Sequence, residues 1–123
     1  MKESRINENV ILKLAIEFSL VAIEYCELLE KKKKFVVSNQ LLKSATSIGA
    51  NMFEAQNAES KPDFVHKVKL AAKEVDETKY WLILCSQSSS YPEASTLIDK
   101  LNNIERVINK ILSTSKSNNQ RPN

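Results

Sequence analysis

Glycine occurs once in the 123 residues, at Gly49, and proline only three times. That shortage leaves few places for tight turns and favours a small number of long helices. A phosphate-cradling loop rich in glycine is excluded outright. Histidine is also single, at His66. Bundle-type metal centres need a Glu-x-x-His pair from each of two helices, and residue 63, three before His66, is Asp63 rather than a glutamate. Asp63 reads better as an acid at a helix start and His66 as a surface residue, and no Ser/His/Asp or Cys/His set can be assembled around one outward histidine. Glu54, Glu74 and Glu77 therefore stand as carboxylates without the partners a metal site requires, and no cofactor is implied. The two cysteines, Cys26 and Cys85, lack metal-motif spacing and read as small buried hydrophobes in a reducing compartment.

Long apolar runs are missing as well. No stretch approaches the ~18 uninterrupted apolar residues of a membrane span. The segment from Met1 to Glu8 is polar, and Lys13 and Glu17 interrupt the apolar run behind it, so no signal peptide is expected and the cytoplasm is the default location. Charge of one sign is not extreme either. A formal net charge of +3 permits contact with nucleic acid without announcing it.

What the chain does have is apolar residues at alternating steps of three and four, the mark of helices packed on a core. The first helix is expected from Asn7 to Lys31, with the seam Ile11, Leu14, Phe18, Val21, Tyr25 and Leu28. Its opposite face, Leu12, Ile16, Leu20 and Ile23, is apolar too, so the helix needs a cover on both sides. One is the protein's own core, and the other is expected to be a second subunit. A membrane-surface helix would carry Lys and Arg on its polar face, whereas this one carries glutamates.

Lys31, Lys32, Lys33 and Lys34 end that helix. They suit the negative end of its dipole and a solvated loop. The sharper reading is a phosphate-contacting patch, supported by Lys69 and Lys73. The second helix is expected from Ser38, a good N-cap, to about Glu59, on the seam Leu41, Ala45, Ile48, Met52 and Ala55. Gly49 in its middle costs ~1 kcal/mol against alanine, which implies a close approach by another backbone. Beside the seam runs a polar stripe, Gln40, Ser44, Ser47, Asn51 and Glu54. It reads either as a hydrogen-bonded strip between packed helices or as a binding groove.

Ser60-Lys61-Pro62-Asp63 is a capping box with proline in the first turn, and it opens the third helix. That helix's seam is Phe64, Val68, Ala71, Val75, Thr78, Leu82 and Cys85. Its outer face begins with His66, Lys69, Lys73 and Asp76, then turns apolar with Tyr80, Trp81, Ile83 and Leu84. These four join Leu12, Ile16, Leu20 and Ile23 as the expected oligomer interface. Ser90-Tyr91-Pro92-Glu93 repeats the box and is expected to open a fourth helix, about Pro92 to Ser113. Its seam is Ala94, Leu97, Leu101, Ile104, Ile108 and Ile111, and its back is wholly polar. Residues 114–123 form a polar tail expected to fray, leaving one domain over 1–113. Four helices with short connections make an all-α, up-down-up-down antiparallel four-helix bundle.

The run Gln40-Leu41-Leu42-Lys43-Ser44-Ala45-Thr46-Ser47-Ile48-Gly49-Ala50-Asn51, followed by Glu54-Ala55, resembles the hallmark stretch of the 23S rRNA intervening-sequence proteins. So do Asp63-Phe64, Lys67, Leu70-Ala71-Ala72-Lys73-Glu74, Glu77-Thr78 and Tyr80-Trp81-Leu82. The resemblance implies a four-helix bundle that assembles as a homopentamer, with no enzymatic activity and no small-molecule substrate to carry over. Some such proteins are encoded within insertions in large-subunit rRNA genes, hence a ribosomal-protein-like label. A related branch comprises accessory proteins of diversity-generating retroelements, which bind a reverse transcriptase and nucleic acid. That branch is strongly basic and this chain only mildly so. RNA or a nucleic-acid-bound protein is therefore one expected partner. A protein-interaction adaptor without a nucleic-acid role is the other reading.

Overall fold

A computed structural model describes residues 3–120, with side chains from Val10 to Lys116. Four helices follow one another: α1 Glu3–Lys31, α2 Phe35–Ala55, α3 Lys61–Gln87 and α4 Ser95–Gln120. Each packs on its neighbours in the chain, α1 also packs on α4, and neither diagonal pair comes into close backbone contact. This is the expected all-α, up-down-up-down bundle.

Its core is built from the predicted seams. All five residues of the α2 seam are buried, as are Val68, Ala71, Val75, Thr78, Leu82 and Cys85 on α3, with Phe64 packed at the core's edge. The α4 seam is buried throughout, from Ala94 to Ile111, while its polar back faces solvent. Each fully buried Leu, Ile or Phe contributes ~1.5–3 kcal/mol. On α1 the seam is rotated from the expected one. Ile11, Phe18 and Tyr25 are buried, but Ala15, Ala22, Cys26 and Leu29 complete the inner face, Leu14 and Val21 are half-buried, and Leu28 is exposed. Small residues win because α2 comes close: a Cβ built on Gly49 would lie 3.3 Å from the Ala15 Cβ. The close approach inferred for Gly49 is real, and its partner is α1.

The helix ends bring several corrections, the first being that α1 starts at Glu3 rather than Asn7. Ser38 does not cap α2. It lies buried inside the helix, and its hydroxyl donates to the Cys26 carbonyl at 3.0 Å. Lys34 is the N-cap instead, without a side-chain bond. The α1 end explains why: the N–H of Lys34 returns to the Leu29 carbonyl, that of Lys33 to Glu30, and Lys33 stands at φ 64°. This is the Schellman closure, so tight that α2 begins at once. At the other end α2 stops at Ala55 rather than Glu59.

Ser60 caps α3 as expected, accepting from the Asp63 N–H at 3.2 Å, while the Asp63 carboxylate accepts from the Glu59 N–H. The similar string at Ser90 does not repeat this. Tyr25 donates its hydroxyl to the Pro92 carbonyl at 2.6 Å, residues 92–94 stay outside any helix, and the Glu93 carboxylate takes the Ser95 N–H before α4 starts. Beyond Ser113, where α4 was expected to end, the helix continues to Gln120 and buries Ser115. The last three residues of the predicted tail, 121–123, lie outside the described ones. Among the described residues, no helix is long and apolar enough to cross a membrane.

Candidate functional site

Two apolar patches remain open to solvent. On α1, Ile16, Leu20 and Ile23 are exposed, Leu20 by 58%. Phe53 of α2, half exposed, joins them. Between these side chains runs a groove of about 220 Å³ floored by Ala15, Ser19, Gly49 and Ala50. The second patch is Tyr80, Ile83 and Leu84 on α3. The Tyr80 ring stands edge-on to Trp81 at 5.3 Å, and the Trp81 indole N–H donates to Glu77. Leu12 and Trp81, expected in the same interface, are half-buried against the core and form the margins of the two patches.

The patches lie at similar heights but not on one face. Helices α1 and α3 are diagonal in the bundle, so the patches lie on different sides of it. They run the same way, with Gly49 of α2 beside Ala15 of α1 and Ser44 of α2 bonded to Thr78 of α3. Stepping by an equal rise on each helix from those contacts sets Leu20 level with Thr78 and Ile23 level with Trp81, roughly 3 Å from the heights of Tyr80 and Ile83. Phe53 escaped sequence reading because the groove joins two helices, and no single-helix pattern reports a junction.

The lysines divide into two groups. Lys31, Lys32 and Lys33 are exposed around the α1–α2 turn, and Lys34 is half-buried with its Nζ 5.1 Å from the centre of the Tyr91 ring. Directly after them stand Phe35 and Val36, exposed by 54% and 75%. Lys69 and Lys73 are exposed on α3 but lie far from the turn. Lys67 pairs with Glu54, and Glu74 lies near Lys43. At 1.5 Å per residue that register puts Lys73 roughly 20 Å and Lys69 roughly 25 Å below the turn. The six lysines are not one cluster. The sequence signal for Phe35 was its place beside the lysines, hidden by reading Ser38 as the helix start.

The polar stripe of α2 turns toward α3. The hydroxyls of Ser44 and Thr78 meet at 2.9 Å in the buried seam, each also within reach of a carbonyl of its own helix. Ser47 donates to the Lys43 carbonyl and Asn51 to that of Ser47. Glu54 meets Lys67 at 3.0 Å, which holds that ammonium above its usual range, and Gln40 is exposed at the far end. Three of the five stripe residues, Ser44, Ser47 and Asn51, donate to backbone carbonyls of their own helix.

Both cysteines are buried and free. Desolvation pushes the Cys26 thiol up to about 11, and burial also raises Cys85 and Tyr25, so at neutral pH these groups stay protonated and weakly nucleophilic. Burial, with Glu77 nearby, also raises Glu74. Among the described residues, no group of three His, Cys, Asp or Glu is placed to hold a metal.

An antiparallel four-helix bundle with a small-residue helix junction at Gly49 and apolar outer faces defines the class. The chain belongs to the 23S rRNA-intervening sequence protein family, whose sequence pattern matches residues 7–110. It is similar to the crystal structure of a protein with unknown function from the S23 ribosomal protein family of Bacteroides thetaiotaomicron VPI-5482. The two superpose with a TM-score of 0.82 at 33% identity, covering 87% of this chain and 98% of that one. No curated protein matches the chain.

Proposed function

We propose that the chain is a non-enzymatic cytoplasmic scaffold, a homopentamer that engages RNA or a ribonucleoprotein partner through basic surface. The observation that carries the assembly is the pair of apolar patches at similar heights on the outer sides of two diagonal helices. A contact between unlike patches is head-to-tail, and it generates a ring if the rotation closes and a filament if it does not. Similar heights keep neighbouring bundles side by side, and the ring closes when each contact also turns the next copy by a fifth of a full circle.

The RNA part rests on the lysine turn and on the family's rRNA association. One copy offers only a few phosphate contacts, too weak alone, and a ring of parallel bundles presents every turn at the same end. The test is light scattering with a salt titration of RNA binding. The wild type is expected at five times the 13.9 kDa chain mass. Ile16→Lys with Ile23→Lys should yield monomers of nearly full helicity that bind RNA more weakly. A wild-type monomer stable to dilution would refute the ring. Absence of RNA binding even at low salt would leave a protein adaptor, a reading that the exposed groove between α1 and α2 favours.

A further inference from the structure

The α1–α2 end of the bundle carries a combination that the lysines alone do not. Lys31, Lys32 and Lys33 are exposed, and the Schellman closure fixes the backbone that bears them. One residue past Lys34, the Phe35 ring leaves more than half its surface to water. Lys34 itself is drawn aside onto Tyr91 and does not cover that ring. Three exposed cations on a hydrogen-bonded turn, next in sequence to one exposed aromatic side chain, match the two parts of an unpaired nucleotide, its phosphate and its base.

We infer that this end is a docking surface for unpaired RNA, in which Lys31, Lys32 and Lys33 take phosphates and Phe35 stacks a base. The inference rests on the RNA reading above and adds which form of RNA is bound and by which residue. A duplex offers phosphates but hides its base faces, so Phe35 would have nothing to stack. A flat anionic membrane would bring its surface close to Glu27 and Glu30, both exposed on the last turns of α1, whereas a flexible strand can pass them. Stacking on an aromatic side chain is indifferent to base identity, so little sequence preference is expected.

The experiment measures fluorescence anisotropy of the full chain with a labelled single-stranded RNA lacking self-complementarity, and with a duplex of equal length. The single strand should bind more tightly. Phe35→Ala should weaken it by roughly 5- to 100-fold with the salt slope and duplex affinity unchanged, and Phe35→Trp should restore it. Lys31→Ala with Lys32→Ala and Lys33→Ala should flatten the salt slope for both RNAs. Phe35 is exposed, so its loss should not unfold the protein, and light scattering on Phe35→Ala should return the wild-type mass. Unchanged single-strand binding by Phe35→Ala, equal duplex binding, or a changed mass would overturn this inference while leaving the RNA reading standing. Phe35-dependent binding to mixed phosphatidylcholine–phosphatidylserine vesicles, with none to RNA, would overturn both in favour of a membrane surface.

Discussion

Lys33 and Gly49 stand where local backbone preference would place each other. Glycine is the usual residue at the left-handed position that closes a helix, because it has no Cβ to crowd the following carbonyl. Here that position, at φ 64°, holds a lysine. The chain's one glycine sits instead in the middle of α2, where it costs ~1 kcal/mol. The difference teaches that neither residue was chosen for its own backbone. Gly49 answers to packing, since α1 passes with Ala15 at contact distance from where a Cβ would be. Lys33 answers to the surface, where it keeps a cation on an exposed turn.

The strongest way to break the comparison is to fill the junction. Gly49→Leu must push apart α1 and α2, and overpacking of that kind costs ~1–3 kcal/mol or more. Gly49→Ala is a finer probe. It gains helix propensity, yet its Cβ would meet Ala15 at 3.3 Å, so a net effect within ~1 kcal/mol on the unfavourable side is expected. A cycle with Ala15→Gly, read by urea denaturation, should show the two changes coupled. A rise in melting temperature on Gly49→Leu would mean that α1 and α2 are loosely packed there, and the account of Gly49 would fail.

That junction also marks how far the sequence could be read. Gly49 and the small residues around it implied a close approach, and the structure has one. The helix it meets was not legible, because an apolar pattern names a face and not a neighbour. For the same reason α4, polar along its whole back, was placed correctly face by face, whereas α1, apolar on two faces, had its inner seam set by α2. Two helix starts failed where a tertiary bond outbid a local motif. Ser38 spends its hydroxyl on the Cys26 carbonyl, and Tyr25 holds Pro92 out of helix. Ser60, with no such competitor, capped as its motif predicted. Of the candidate surfaces, the separate apolar faces of α1 and α3 were legible as exposed. Phe53 and Phe35 emerged only once α2 had its true start and its neighbour.

The smallest effect comes from restoring the preferred residue at the turn. An L-residue held in the left-handed region carries a strain of ~1–2 kcal/mol. Lys33→Gly removes that strain but gives the unfolded chain more freedom to lose, so a net gain of ~0.5–1 kcal/mol remains. For a chain of this size that is a rise of roughly 2–4 °C in melting temperature. The same change removes one exposed cation, so RNA affinity should fall slightly and the salt slope should drop by about 0.7 for the single phosphate lost. Stability and binding should thus move in opposite directions, as expected if the lysine is kept for the surface at the expense of the backbone. A fall in melting temperature would show that Lys33 holds the turn by contacts other than its backbone bonds. Unchanged RNA binding would remove the surface role, leaving the strained lysine without a physical account.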